Sequence, residues 1–556
     1  MTEHARTAEA PRATTPSTEP STEPSATSPT SAARPAPVSR PVAVTMAPRD
    51  RLAVSLLLFS AFVVILNETT MGVAVPHLMR DLGITASSAQ WVSAAFMLTM
   101  AVVIPVTGFV IRRATTRATF LAAMSLFSLG TLISALAPGF VVLLLGRVVQ
   151  ASGTAIMMPL LMTTVMTVTP PASRGRVMGN ISVVISVAPA LGPTISGAML
   201  GVASWRWLFV LMLPIALTAL TIGALRLPTL NEPRHARVDL LSVALSAVAF
   251  GGIVFGLSRF GEASRDGALV AWAPVVLGLS ALSLFIARQL WLQRTDSALL
   301  DLRTFTFRTF TIGIAVMALS MIALFGTIIL LPIYAQDVLG LEALTTGLLL
   351  LPGGLLMGLL APSVGRAYDR FGPRVLLVPG TTAVSIAAWT MTRLGAASEP
   401  WHLLAAHLVL SVGLALIFTP LFTASLGALP MRLYSFGSAV VGTVQQVAGA
   451  AGTALFVTLM TATALARTED GADAVAATAS GVHSAFTVGA FISLLAIPAA
   501  FLLRRPDVPA DEAAPPSVDA SQDEVAHGGH VVGGPPGVDG PVAREIARAD
   551  PDPVAG

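Results

Sequence analysis

Few ionisable side chains lie inside the long apolar stretches of this chain, and two of them are spaced for proton chemistry. Glu68 sits in Leu66-Asn67-Glu68-Thr69-Thr70 and Arg147 in Gly146-Arg147-Val148-Val149-Gln150. Each is about seven residues from the outer end of its apolar block, roughly 10 Å deep at about 1.5 Å per residue. An ionisable group near the centre of a membrane helix costs about 2.5–3.5 kcal/mol on insertion scales, so each needs a reason to be there. Their common depth predicts that they pair. A nearby cation favours the carboxylate and its departure favours the acid, so a Glu68 controlled by Arg147 can carry a proton. A static ion pair, or two side chains reaching outward to water, fits the same spacing. His407, in a later block, also titrates near neutrality, although a lone histidine on an apolar helix is more often a packed, hydrogen-bonded group. Asn67 and Gln150 flank the charged pair and are candidate substrate-cavity residues. So are Gln445 and Gln446, which read equally as interhelical glue.

These residues need helices that cross a membrane to position them. Of the 556 residues 54% are hydrophobic and 11% charged, against about 25% charged in a soluble domain. The apolar residues come in blocks of about 20, the length that about 30 Å of hydrocarbon requires. We place fourteen spans at 52–75, 88–111, 118–137, 140–163, 176–200, 205–227, 239–258, 269–290, 309–331, 345–367, 374–393, 402–426, 436–461 and 482–503. The tails, 1–48 and 506–556, are rich in Pro, Ser, Thr, Ala, Gly and Asp without apolar periodicity and are expected to be disordered. The first tail lacks the order of a secretory signal, so the first block reads as a retained span. Arginines crowd the loops after even-numbered spans, among them Arg112, Arg113, Arg174, Arg176, Arg366, Arg370, Arg374 and Arg432. By the positive-inside rule both termini are cytoplasmic.

The same composition excludes several classes of function. The chain has no cysteine and hence no disulfide, thiolate catalysis or cysteine-based metal site. The formal net charge is only +3, and the arginines serve membrane orientation rather than nucleic acid. No His-Glu-x-x-His pair or phosphate-cradling loop is present, so no enzyme, metal or cofactor is expected.

A repeat is legible. Pro105 and Pro362, Gly108 and Gly365, Arg113 and Arg370, and Arg117 and Arg374 are separated by one constant offset, at the ends of the second and tenth spans. This divides the chain into an N-terminal six-helix half (49–230), a linker with an inserted hairpin (231–300) and a C-terminal six-helix half (301–505). In span 5, Gly192, Pro193 and Gly197 read as a bend or a tight helix seam.

Over residues 50–505 the chain resembles the fourteen-span drug:proton antiporter branch of the major facilitator superfamily. Arg147, Gln150 and Gly153 resemble its span 4 arginine motif, which the resemblance links to proton transfer. Gly192-Pro193 with Gly197 resembles its antiporter motif, linked to alternating access. Trp205-Arg206-Trp207-Leu208-Phe209 with Pro214 resembles the opening of span 6. Leu331-Pro-Ile-Tyr334-Ala-Gln336 followed by Gly340, Gly347 and Pro352 resembles a motif of the fourteen-span branch, as does Asn231 to Asp239. Two departures stand out. The family commonly has Asp at the position of Asn67, and its cytoplasmic loop motif has Asp where this chain has Arg112. The second copy keeps Asp369 with Arg370 and Arg374. The Leu-Asn-Glu-Thr variant is similar to lincomycin-resistance exporters. The resemblance implies an all-α bundle around a central cavity lined by spans 1, 4, 9 and 12. It implies a monomer in the bacterial inner membrane that exchanges protons for small lipophilic drug-like molecules, with membrane lipid as its solvent. A nutrient symporter of the same fold and a membrane sensor are the rival readings.

Overall fold

A lipid-facing backbone must bond to itself, and a long apolar segment does so as a helix. In the computed structural model, which describes residues 46–84, 86–230, 239–259, 268–395 and 398–504, fourteen helices are long and apolar enough to span a bilayer. They are α1 (Pro48–Leu82), α2 (Ala86–Arg113), α3 (Thr116–Ala135), α4 (Phe140–Val168), α5 (Arg174–Leu200), α6 (Arg206–Arg226) and α7 (Leu240–Arg259). There follow α8 (Ala268–Leu292), α9 (Arg308–Ile333), α10 (Ala343–Phe371), α11 (Arg374–Met391), α12 (Pro400–Gly427), α13 (Tyr434–Glu469) and α14 (Ala474–Leu502). Every expected span is present. The tails, apart from residues 46–48, and most of the segment from Asn231 to Asp239 lie outside the described residues.

Local chemistry sets the helix ends. Pro48 opens α1, where a missing N–H goes unfelt, and Gly83 closes it in the left-handed conformation at φ 60°. The Thr115 hydroxyl accepts from the Ala118 amide to start α3, and Asp473 accepts from the Ala476 amide to start α14. α9 widens into a single π turn at Tyr334–Val338, and there the Tyr334 hydroxyl donates to the Gly395 carbonyl at 2.8 Å. That bond gives the Leu331-Pro-Ile-Tyr334 motif a structural task.

Packing repeats through the chain. α1 lies against α4, α5 and α6, α2 against α4, and α3 against α4 and α6. The same pattern recurs with α9 against α12, α13 and α14, α10 against α12, and α11 against α12 and α14. The two six-helix groups meet where α5 packs on α10 and α12, and where α13 packs on α2 and α4. α7 and α8 form a hairpin outside this repeat, packed on α2 and α13, with Trp91 and Phe255 5.7 Å apart between ring centres.

Candidate functional site

The first-half site is built on the seam between α3 and α4. Gly130 and Gly153 let the helices touch, since a Cβ on Gly130 would meet the Gln150 Cα at 2.6 Å and one on Gly153 the Phe127 amide at 2.6 Å. Arg147 and Gln150, one turn apart on α4, project from that seam with 1% and 0% of their surface exposed. Arg147 Nη1 donates to Gln150 Oε1 at 2.7 Å and to Asn67 Oδ1 at 3.4 Å, and Nε donates to the Val92 carbonyl at 3.4 Å. Its guanidinium lies 4.0 Å over the ring of Phe96, and Gln150 Nε2 donates to the Thr131 hydroxyl at 2.7 Å. One buried network therefore ties α1, α2, α3 and α4 around a cation whose contacts are all neutral.

The expected pairing of Glu68 with Arg147 is corrected here. Asn67, not Glu68, meets the guanidinium. One residue along a helix is a rotation of about 100°, which turns Glu68 off the face Asn67 presents. Among the described residues the half-buried Glu68 carboxylate makes no hydrogen bond or ion pair, and the charges of Glu68 and Arg147 act on each other across a gap. Asn67 Nδ2 is buried and likewise has no partner among them.

Of the other predicted residues, one approaches this network. Phe96 packs in an apolar layer with Met100, Ile104, Ala151 and Ala155, and Gln446 of the second group approaches that layer, its Nε2 lying 3.8 Å from Met100 Sδ. Gln445 is half-buried and makes no hydrogen bond among the described residues. His407 lies apart, between α12 and α10, with Nε2 3.1 Å from the Leu350 carbonyl. Nε2 must then carry the proton, and Nδ1 is buried without a partner. His407 is thus placed as a packed, hydrogen-bonded group.

α5 runs unbroken through the glycine and proline motif. A Cβ on Gly192 would meet Thr69 Cβ of α1 at 2.8 Å, so this glycine sits in a tight seam with α1, and Pro193 follows on the same helix. Among the described residues nothing lies within 4 Å of the Gly197 Cβ position.

The second constellation is at the arginine-rich end. Asp369, near the end of α10, accepts from the amides of Gly175 at 2.8 Å and Arg176 at 2.9 Å, capping the first turn of α5 in the other group. A carboxylate at a helix N-terminus meets free N–H groups and the positive end of the macrodipole, an arrangement worth about 0.3–2 kcal/mol. Gly365, one turn earlier, permits the approach, since its Cβ would meet the Arg176 Cα at 3.3 Å. Arg370 and Arg374 do not join this contact and lie over the rings of Phe371 and Phe501, at 5.0 and 5.2 Å.

The pseudo-equivalent position in the first group carries the opposite charge. A Cβ on Gly108 would meet the Ser435 carbonyl and the Phe436 ring at 3.0 and 3.2 Å, at the start of α13, and the guanidinium of Arg112 lies 4.7 Å over that ring. An arginine cannot accept from a helix N-terminus, so an aromatic face takes the place of the amides. Near it, Arg303 Nη2 bonds Asp296 at 2.5 Å and Asp301 at 2.8 Å. Arg303 holds the Asp296 carboxyl below the usual range, with smaller help from Arg112 and Arg432. Sequence reasoning named neither Phe436 nor Asp296, although the constant offset that pairs Arg112 with Asp369 was the signal that could have found this corner. Other side-chain hydrogen bonds between the groups, Thr419 to Ser182 at 2.7 Å and Thr163 to Ser438 at 3.1 Å, lie in the same half of the molecule.

Two further clamps explain conspicuous charges. Arg206, on the arginine-poor side, donates to Asp81 at 2.9 Å and to the Ala137 carbonyl at 3.0 Å, while Trp205 Nε1 donates to Asp81 at 2.7 Å. The Asp81 carboxyl is held down by the Trp205 and Arg206 hydrogen bonds. Arg288 of α8 grips Asp239 at 2.6 and 2.8 Å, and Gln289 bonds Ser242 and the Leu299 amide, each at 2.8 Å. The hairpin is fastened at its arginine-rich end.

Comparison with known proteins agrees with this architecture. Residues 57–453 match the family described as Major Facilitator Superfamily. The lincomycin resistance protein LmrB of Listeria monocytogenes is 36% identical over 453 residues, covering 81% of this chain and 95% of that one. A multidrug resistance protein B homolog of Mycobacterium tuberculosis is 29% identical over 434 residues, covering 76% and 80%. Among solved structures, the human organic anion transporter MFSD10 superposes with a TM-score of 0.57 at 15% identity, covering 82% of this chain and 100% of that one. The proton:xylose symporter XylE gives 0.57 at 14%, covering 82% and 96%. This multi-pass membrane protein belongs to the major facilitator superfamily.

Proposed function

We propose that the chain is a secondary active exporter that moves lipophilic drug-like molecules out of the cell in exchange for protons. The carrying observation is the half-buried Glu68, without a hydrogen bond or ion pair among the described residues, in the field of a buried Arg147 whose contacts among them are all neutral. A carboxyl that has no fixed ion pair, inside a span, is free to change charge during a cycle. Protonation from outside releases Glu68 from the field of Arg147, and loss of that proton inward restores the attraction and favours loading of substrate. The names of the lincomycin- and multidrug-resistance relatives support the substrate class.

In this reading residues 49–230 and 301–505 are two halves that rock about a central cavity lined by α1, α4, α9 and α12. Residues 231–300 carry the inserted hairpin. Asn67, Gln150, Gln445 and Gln446 contact substrate. His407 is the next proton site to test. Gly192, Pro193 and Gly197 with the Asp369 corner serve alternating access. The arginine-rich end is cytoplasmic by the positive-inside rule, and both termini lie there, in the inner membrane of a bacterium. Among the described residues the inter-group hydrogen bonds of Asp369, Thr419 and Thr163 gather at that end, and no described atom lies within 4 Å of a Cβ on Gly197 or Gly347 near the other. These contacts support a conformer closed toward the cytoplasm. The chain works as a monomer.

The test is Glu68→Gln in proteoliposomes, which keeps the shape and removes the titration. We expect substrate binding to persist and uphill efflux driven by a pH gradient to fall to background. Concentrative efflux at the wild-type rate moves the proton site elsewhere. Drug-susceptibility profiles of a sensitive host expressing the chain then identify substrates, and uptake rather than efflux in right-side-out cells rules for the symporter reading.

A further inference from the structure

Between α11 and α14, on the face turned away from the other six-helix group, lies a groove of about 420 Å³ whose walls include Ile386, Trp389, Leu494 and Ile497. Ile386 is 53% exposed and Leu494 41%, so on spanning helices this groove opens to lipid. Its hydroxyls do not make it polar. Thr382 and Thr390 donate to carbonyls of their own helix, and Ser385 is taken up by Ser493 at 3.0 Å. The groove is an apolar slot.

At one mouth of the slot stands Arg393, an exposed cation at the arginine-poor end of the molecule. Arg206 at that end is neutralised by Asp81, but the Arg393 guanidinium makes no ion pair or hydrogen bond among the described residues. Glu399, close by in sequence, accepts from Trp401 instead. Trp389, one turn below Arg393, packs edge-on against Phe491 at 5.2 Å, the kind of aromatic that settles at headgroup level. From Thr382 to Arg393, which stands just past the end of α11, is about 16 Å at about 1.5 Å per residue, close to half of the roughly 30 Å hydrocarbon core and so to the depth of one leaflet.

We propose that this groove is a binding site for one anionic phospholipid, with the phosphate on Arg393 and an acyl chain laid along Ile386, Leu494 and Ile497. A cation without a partner among the described residues, above an apolar slot one leaflet deep, matches the two parts of that molecule in charge and in length. The site is independent of the transport reading and of which membrane face the end occupies.

Native mass spectrometry of the purified full chain, exchanged into detergent with equal phosphatidylglycerol and phosphatidylethanolamine, tests it. We expect one phosphatidylglycerol to be retained in preference. Arg393→Gln should lower its retention about fivefold, as the loss of one basic contact worth about 1 kcal/mol implies. Ile386→Trp fills the slot and should lower retention of both lipids with Arg393 in place. Arg467→Gln, which removes another exposed arginine from the end of α13, should change nothing. Both slot variants should match the wild type in elution volume and melting temperature, since the side chains face outward. Undiminished retention in Arg393→Gln or Ile386→Trp, or an equal drop in Arg467→Gln, overturns the proposal.

Discussion

Glu68 and Asn67 differ by one position and meet different surroundings. Their common depth with Arg147 was legible from spacing, because helical rise is constant. The partner of Arg147 was not, because helical phase about the axis depends on how α1 packs against α4. With Asn67 and Gln150 as neutral partners, the guanidinium has no contact anion among the described residues. Asp369 was legible from the motif that the second copy keeps, but its partner was not, since the amides of Gly175 and Arg176 leave no mark in a sequence. Arg112 shows the converse, an expected acid replaced by a cation that finds an aromatic ring. Asp369→Asn keeps the shape and removes the charge that faces the α5 N-terminus. We expect it to shift the balance away from the conformer closed at that end by about 1–2 kcal/mol, roughly 5–30-fold. Turnover should slow while substrate dissociation constants stay within about twofold. Distance measurements between labels at the ends of α5 and α10 read the first effect and equilibrium binding the second. An equal loss of affinity would show that Asp369 belongs to the substrate site.

Helices were found from apolar blocks to within a few residues where loops are tight, as for α5 and α6. They were underestimated where polar turns continue the helix beyond the apolar stretch. α1 runs on to Leu82, α13 to Glu469, and α14 begins at Ala474, because caps and the Asp81 clamp sustain these turns without hydrocarbon. The inserted hairpin owes its attachment to such an end. The Arg288 hydrogen bonds hold the Asp239 carboxyl at about 2, below its ordinary 3.8. A depressed carboxyl stabilises the fold above its ordinary value and loses that contribution as pH falls through the depressed one. The melting temperature of the wild type should therefore decline between about pH 4 and pH 2. Asp239→Asn should melt lower at pH 7 and decline less steeply over that window. Parallel curves for the two proteins would show that the clamp contributes nothing to stability.

The whole molecule is a duplicated bundle with a hairpin set into the middle, and its orientation rests on arginine placement. Reporter fusions after Pro233 and Arg505 should report the cytoplasm, and fusions after Gly267 and Asp470 the outside. If the fusions at 233 and 267 report one side, α7 does not cross. The residue pattern alone determined the number of helices, the repeat and its offset, and the family. These follow from hydrocarbon thickness, backbone hydrogen bonding and local motifs, all of which act along the chain. Only the tertiary structure decided that Asn67 stands where Glu68 was expected, that Gly192 is packed against Thr69, that His407 bonds the Leu350 carbonyl, and that at the start of a helix in the opposite group Asp369 meets amides while Arg112 meets an aromatic ring. Each of these depends on the rotation of one helix against another. That rotation is set by the summed packing of whole surfaces, so no short stretch of sequence contains it.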